Sequence, residues 1–191
     1  MLFGISSIQG AVVYPEVLPA SELIKSLQTG GYIMYMRHGA TDQTQRDNNQ
    51  SDFTDCNNQR NLSAAGRDQV KLIGHAIRAH DIPIGDVLSS PYCRCKDTAQ
   101  LAFGEFQINS DLQFSISKNE QEAEWLGKRL YTMMKNTDVR STNVVFVGHT
   151  ANLKDGLGIW PKPEGVTVVF QKKEDKLIYK GMIKPDEWSK H

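Results

Sequence analysis

The sequence predicts an α/β fold in which a mostly parallel sheet is flanked by helices on both faces. Three observations lead there. Strand-like and helix-like segments alternate along the chain, the order that builds layered α/β domains. The run Asn143-Val144-Val145-Phe146-Val147 is continuously apolar, as in a strand buried on both faces of a parallel sheet. Three polar motifs each follow an apolar strand-like run, and ligands of such sheets sit beyond the carboxyl ends of the strands.

Residues 21–28 read as a short helix, with Ser21 as its N-cap and Gly30-Gly31 as its stop. The first strand covers 31–36 and ends at Arg37-His38-Gly39-Ala40-Thr41. A polar stretch from 42 to 61 follows, with Phe53 as its one large apolar residue. Connections longer than about 12–15 residues are usually functional lids or disordered, and this one directly follows Arg-His-Gly. It therefore reads as a flap over a site. Ser63 caps a helix to about residue 79, with Val70, Ile73, Ala76 and Ile77 on one face. Pro83 ends that segment and Asp86–Ser89 is a strand, followed by a helix over 92–102. Asn119 and Glu122 resemble a capping box for a helix to about 135, its core face being Ala123, Leu126, Leu130 and Met133. After the strand at 143–147, residues 166–170 and 177–183 form a hairpin that turns through Lys172 to Lys176.

A chain of 191 residues suits one domain over 1–191, with a flexible N-terminus to about residue 18 and the flap at 42–61. Twenty-two basic and 22 acidic residues balance to zero, so bulk charge points to neither nucleic acid nor an anionic membrane as partner. No apolar run approaches the roughly 20 residues that span a bilayer. The first 11 residues lack the basic start of a secretory signal, the first Lys or Arg being Lys25. They read as the remnant of a trimmed signal or as an ordinary loose terminus, and a periplasmic or secreted location is favoured over a cytoplasmic one. Cys56, Cys93 and Cys95 do not have a zinc spacing. Three ordinary thiols are the favoured reading, over a disulfide from Cys56 to Cys93 or Cys95.

The chemistry concentrates at three strand ends: Arg37-His38-Gly39, Ser90-Pro91-Tyr92-Cys93-Arg94 and Val147-Gly148-His149-Thr150. Arg-His-Gly alone is weak, arising by chance in about 2% of shuffled sequences of this composition. Three such ends in α/β order are another matter, because the fold would bring them into one pocket. Arg37 and Arg94 offer planar forks that bind phosphate oxygens bidentately. His149 adds a third donor, cationic once a phosphate is bound. His38 is the candidate nucleophile, a neutral imidazole attacking phosphorus with its other nitrogen held by a backbone carbonyl. Gly39 lets the chain turn and approach the substrate, with Thr41 and Thr150 beside it as further binding residues. Such catalysis is positioning and charge stabilisation, with neither metal nor cofactor required. His75, His80 and His191 have no partner that suggests chemistry.

These motifs resemble the histidine phosphatase superfamily, which includes cofactor-dependent phosphoglycerate mutases and many phosphatases. The resemblance runs from Gly31 to Gly165 and includes Asn61-Leu62-Ser63-Ala64-Ala65-Gly66-Arg67, Thr98-Ala99 and His149-Thr150-Ala151-Asn152-Leu153. It implies a phosphoglycerate mutase-like three-layer sandwich, phosphorylation of His38, and a phosphate pocket of Arg37, Arg94 and His149. The short Leu-Ser-x-x-Gly-Arg and His-Thr-Ala-Asn-Leu forms look most like small bacterial phosphatases. One departure matters. Mutase-type members carry a proton-donating Glu where this chain reads Asp111-Leu112-Gln113-Phe114, and the acid-phosphatase branch has Asp where Thr150 stands. Asp42, Asp47, Glu120, Glu122 and Asp155 are possible substitutes. The leading expectation is a metal-independent phosphatase with a phosphohistidine intermediate on His38, acting on a phosphorylated small molecule or phosphoprotein. Two alternatives stand beside it: a non-catalytic phosphate-binding module, favoured by the missing acid, and a protein-phosphohistidine phosphatase with a shallow, open site.

Overall fold

The computed structural model describes residues 12–14, 16–48, 52–115 and 118–190. Seven strands make one sheet: β1 (Val12–Val13), β2 (Tyr32–Arg37), β3 (Ile84–Ser89), β4 (Gln107–Ile108), β5 (Asn143–Gly148), β6 (Thr167–Lys173) and β7 (Lys176–Ile183). Their spatial order is β1-β7-β6-β2-β5-β3-β4. β2, β5, β3 and β4 run parallel, while β6 is antiparallel to both β2 and β7. The helices are α1 (Ala20–Leu27), α2 (Ala64–Ala79), α3 (Cys93–Phe103), α4 (Glu120–Asn136) and α5 (Thr150–Leu157).

Alternation along the central strands sorts their side chains into two cores, since successive residues of a strand point to opposite faces. Met34, Met36, Val145 and Val147 pack with Leu23, Leu27, Val70, Ile73 and Ala99, so α1, α2 and α3 cover that face. Ile33, Tyr35, Val144 and Phe146 pack with Leu130, Met134, Leu153 and Leu157, which places α4 and α5 on the other. Every residue of β5 is buried, as the apolar run required. Burying each such large side chain stabilises the fold by about 1.5–3 kcal/mol.

Local signals located most elements. The Ser63 hydroxyl accepts the Gly66 amide at 3.0 Å, and the Asn119 side chain accepts that of Glu122 at 2.9 Å. The hairpin turns at Glu174 and Asp175 as expected. Several details differ. Ser21 does not cap α1: the helix starts a residue earlier, with Pro19 at the N-cap and no side-chain cap bond. On α4, Met134 is buried where Met133 was expected, and Ala123 is only half-buried. The expected loose N-terminus extends too far, because Val12 and Val13 pair with Leu177 and Ile178 of β7; residues 1–11 lie outside the described residues. The favoured reading of three free thiols is also corrected. Cys56 and Cys93 form a disulfide, and only Cys95 is free, buried on α3.

Within 42–61 the chain is held at several points. Thr41 bridges to Leu62, Asp55 caps a 3₁₀ turn at Cys56–Asn58, and the disulfide ties that turn to the start of α3.

Candidate active site

The three motifs lie at the carboxyl ends of the adjacent strands β2, β5 and β3. Backbone bonds lock them together: the His38 amide donates to the Gly148 carbonyl at 3.1 Å, and the Ser90 amide to the Val147 carbonyl at 2.9 Å. The His38 and His149 rings consequently stand 5.4 Å apart, centroid to centroid.

The His38 Nδ1 is 2.9 Å from the Gly39 carbonyl oxygen. A carbonyl can only accept, so Nδ1 carries the proton and Nε2 keeps its lone pair. Burial, reinforced by the Arg94 guanidinium and further by Arg37 and Arg60, pushes this imidazole well below its ordinary value of 6.5. It is thus neutral near pH 7. Although only 3% exposed, His38 lines a cavity of about 330 Å³ together with Arg37, Arg60 and Thr150.

Arg94 is wholly buried. Its Nη1 meets the Asp47 carboxylate at 2.8 Å and the Arg60 carbonyl at 3.1 Å, and its guanidinium lies 4.6 Å from the Tyr92 ring centroid. Arg37 donates from Nη2 to Glu164 at 3.1 Å and from Nη1 to the Pro161 carbonyl at 3.3 Å. Among the described residues, the buried Nε and Nη2 of Arg94, Nε of Arg37 and Oγ1 of Thr150 have no hydrogen-bond partner. Buried donors are rarely left unpaired; Arg37 and Thr150 line the cavity, whereas Arg94 and His149 lie behind its lining, wholly buried.

His149 is also wholly buried. Its Nε2 lies 2.9 Å from the Ser90 hydroxyl, and its Nδ1 has no partner among the described residues. Burial, then Arg94 and His38, hold its imidazole well below 6.5, so it is neutral without a ligand. Cys95 Sγ is 3.6 Å from the same Nε2, but burial raises that thiol to about 12 and leaves it unreactive.

Two expected binding residues have partners within the protein. The Gly39 amide is taken by the Thr98 hydroxyl at 3.0 Å, and a side chain at Gly39 would collide with Val70 of α2. Close packing against α2 therefore requires this glycine. Thr41 points its hydroxyl at Glu164, 3.0 Å away, and its amide donates to the same carboxylate at 2.9 Å. Thr150 does reach the cavity.

Of the five carboxylates considered as acids, Asp155 alone lines the cavity, where it accepts the Ser115 hydroxyl at 2.9 Å. Asp42 is bonded to Thr44, Glu120 and Glu122 are exposed on the first turn of α4, and Asp47 is on Arg94. Sequence reasoning missed Glu164 and Arg60. Glu164 reaches Arg37 because β6 lies antiparallel beside β2, with the Arg37 amide bonded to the Val166 carbonyl. No local pattern announces that. Arg60 was readable only as a second guanidinium within the polar stretch. Among the described residues, no three His, Cys, Asp or Glu lie close enough to hold a metal ion.

Residues 33–125 match the model of the histidine phosphatase superfamily, branch 1. No curated protein matches the sequence. Several solved structures share the fold. The alpha-ribazole phosphatase of Shigella flexneri matches with a TM-score of 0.60 at 12% identity, covering 81% of this chain and 96% of that one. The phosphoserine phosphatase of Entamoeba histolytica, in complex with 3-phosphoglyceric acid, gives 0.59 at 14%, covering 80% and 96%. The protein histidine phosphatase SixA, complexed with tungstate, gives 0.52 at 13%, covering 81% and 97%. At these identities the likeness concerns the fold alone. The chain thus matches that superfamily's model over residues 33–125, a stretch that holds the Arg-His-Gly and Ser-Pro-x-x-Arg motifs, and shares the fold of these phosphatases.

Proposed function

We propose that the chain hydrolyses phosphomonoesters through a phosphohistidine on His38, with Arg37, Arg94 and His149 binding the phosphoryl group. The observation that carries this reading is the Nδ1 bond of His38 to the Gly39 carbonyl, which leaves Nε2 as an available lone pair in a cation-rich cavity. In the first step Nε2 attacks phosphorus, the P–O ester bond breaks, and its electron pair leaves with the ester oxygen. Water then attacks phosphorus, the P–N bond breaks, and its pair returns to Nε2 as inorganic phosphate departs. The guanidinium groups stabilise the equatorial oxygens throughout, and no step calls for a metal or cofactor. Asp47 and Glu164 neutralise Arg94 and Arg37 until the phosphoryl oxygens replace them. His149 gains a proton on binding, since a dianion beside it offsets the burial that keeps it neutral.

The leaving oxygen has no evident acid. Asp155, the one candidate that lines the cavity, is engaged by the Ser115 hydroxyl at 2.9 Å. The proposed enzyme therefore prefers esters with good leaving groups, aryl phosphates over alkyl ones by about 10²–10⁴-fold in kcat/KM, the usual contribution of a general acid. A phosphorylated small molecule and a phosphohistidine on a partner protein both fit this reading. Steady hydrolysis of para-nitrophenyl phosphate, abolished in His38→Ala, is expected. Stoichiometric phosphate binding without turnover would instead make the chain a binding module.

A further inference from the structure

The chain is electrically neutral as a whole, yet the lining of the 330 Å³ cavity is not. It carries five cations, Arg37, Arg60, Lys118, Lys154, Lys162, and one carboxylate, Asp155. The two arginines belong with the phosphoryl site: Arg60 contributes to lowering both His38 and His149, and its guanidinium is 4.0 Å from Glu164. The three lysines are a separate group. They come from three segments: the approach to α4, the exposed side of α5, and the loop that follows α5. None forms an ion pair among the described residues, although Asp155 lines the same cavity.

Lys154 and Lys162 share a further partner. Their ammonium nitrogens lie 5.1 and 4.8 Å from the centroid of the Trp160 ring, which is half exposed and also lines the cavity. An indole holds a cation over its face without neutralising it. The two charges are thus gathered at the cavity while remaining available to an anion. Like charges placed together in a concave site repel one another, and a bound anion relieves that repulsion.

We propose that these lysines form a second anion subsite, so that the substrate carries a phosphate or carboxylate in addition to the phosphoryl group transferred to His38, joined by a body that packs on Trp160. This rests on the phosphatase reading above, but its test separates the two. A cavity of this size is at the lower end of small-molecule sites and has room for more than one phosphoryl group. The lysines bind as point charges, without the bidentate geometry of the arginines, and so favour an anion over a neutral group without selecting its shape.

The test compares phenyl phosphate with 3-carboxyphenyl phosphate and 1,3-phenylene bisphosphate, which share one type of leaving oxygen. The subsite predicts kcat/KM at least about tenfold higher for one or both substrates with an anionic tail, the carboxylate and phosphate arms showing which anion it takes. The preference should shrink severalfold in 0.5–1 M salt, at which exposed charges are screened beyond roughly 3 Å. In Lys154→Gln/Lys162→Gln the ratio should fall to near one, and Lys154→Arg/Lys162→Arg should restore it. Calorimetric titration with inorganic tripolyphosphate and inorganic phosphate gives a readout independent of turnover, with tripolyphosphate binding at least tenfold tighter in the native protein alone. Equal kcat/KM for all three substrates, or a preference unchanged in the double Gln variant, overturns the subsite while leaving His38-dependent hydrolysis intact. Absence of any hydrolysis, with tripolyphosphate still preferred, overturns the phosphatase reading and leaves the subsite standing.

Discussion

The Tyr35 hydroxyl grips His149 by its backbone: it accepts the His149 amide at 2.9 Å and donates to the His149 carbonyl at 2.8 Å. Tyr35 stands on β2, the strand that ends in Arg37 and His38, so one phenol sets the spacing between the two imidazoles. Gly148 belongs to the same device, because any side chain there would strike the Tyr35 hydroxyl. Tyr35→Phe leaves the buried His149 amide unpaired and removes one of the bonds to its carbonyl, which as the N-cap of α5 also accepts the helix's first amide. A loss of about 1–3 kcal/mol in urea unfolding is expected, with roughly tenfold lower kcat/KM as His149 loosens.

The Asp47–Arg94 pair leads to a second expectation. Arg94 is wholly buried, and Asp47 is the carboxylate that offsets its charge. Asp47→Asn should lower stability by about 3–5 kcal/mol, the usual effect of breaking a buried pair. Inorganic phosphate should recover much of that loss, because the anion takes over the carboxylate's role. Thermal unfolding with and without phosphate checks it. A phosphate-induced rise in Tm no larger in Asp47→Asn than in the native protein would contradict the proposed exchange of carboxylate for phosphate.

Both site histidines have folded-state values well below the 6.5 of an exposed imidazole. Below about pH 6.5 the unfolded chain therefore binds more protons than the native one at these positions. Stability is full above that pH and falls as the medium is acidified, by up to about 1.4 kcal/mol per pH unit for each histidine. Urea unfolding from pH 8 to pH 5 should show the decline, and His38→Gln should make it shallower. The acid limb of kcat/KM should likewise lie below 6.5, since the nucleophile must be neutral.

What could be read in the sequence was what is local. The caps at Ser63 and Asn119 act within one helical turn, and the apolar run at 143–147 states its own burial. The Arg-His-Gly, Ser-Pro-x-x-Arg and Gly-His-Thr motifs were legible because each begins where a strand ends. Ser21 failed as a cap because Pro19, with its fixed extended backbone, starts α1 one residue earlier. The helix α5 went unread: eight residues with two glycines within or beside them carry little periodic signal. Glu164 and the Cys56–Cys93 link were hidden for another reason. Each depends on segments far apart in the chain, 127 residues between Arg37 and Glu164 and 37 between the cysteines. No local pattern encodes such meetings.

The disulfide ties the polar stretch to the start of α3, next to Arg94. Closing a loop across 37 residues contributes about 4 kcal/mol in the chain-entropy account. Cys56→Ser should lose a comparable amount in urea unfolding and raise KM severalfold, because Asp47 and Arg60 then approach Arg94 from an untethered segment. An unchanged midpoint would show that the other bonds in 42–61 hold the segment without it.

The central claim is that His38 carries the phosphoryl group during turnover. Its direct measurement is an alkaline quench of the protein during hydrolysis of para-nitrophenyl phosphate, followed by peptide mass spectrometry of the native protein and of His38→Ala. The account predicts a phosphoryl adduct on the His38 peptide of the native protein, and a variant with no adduct whose hydrolysis is slower by about 10³-fold or more. Native-like hydrolysis in His38→Ala, or an adduct on any other residue, would contradict it.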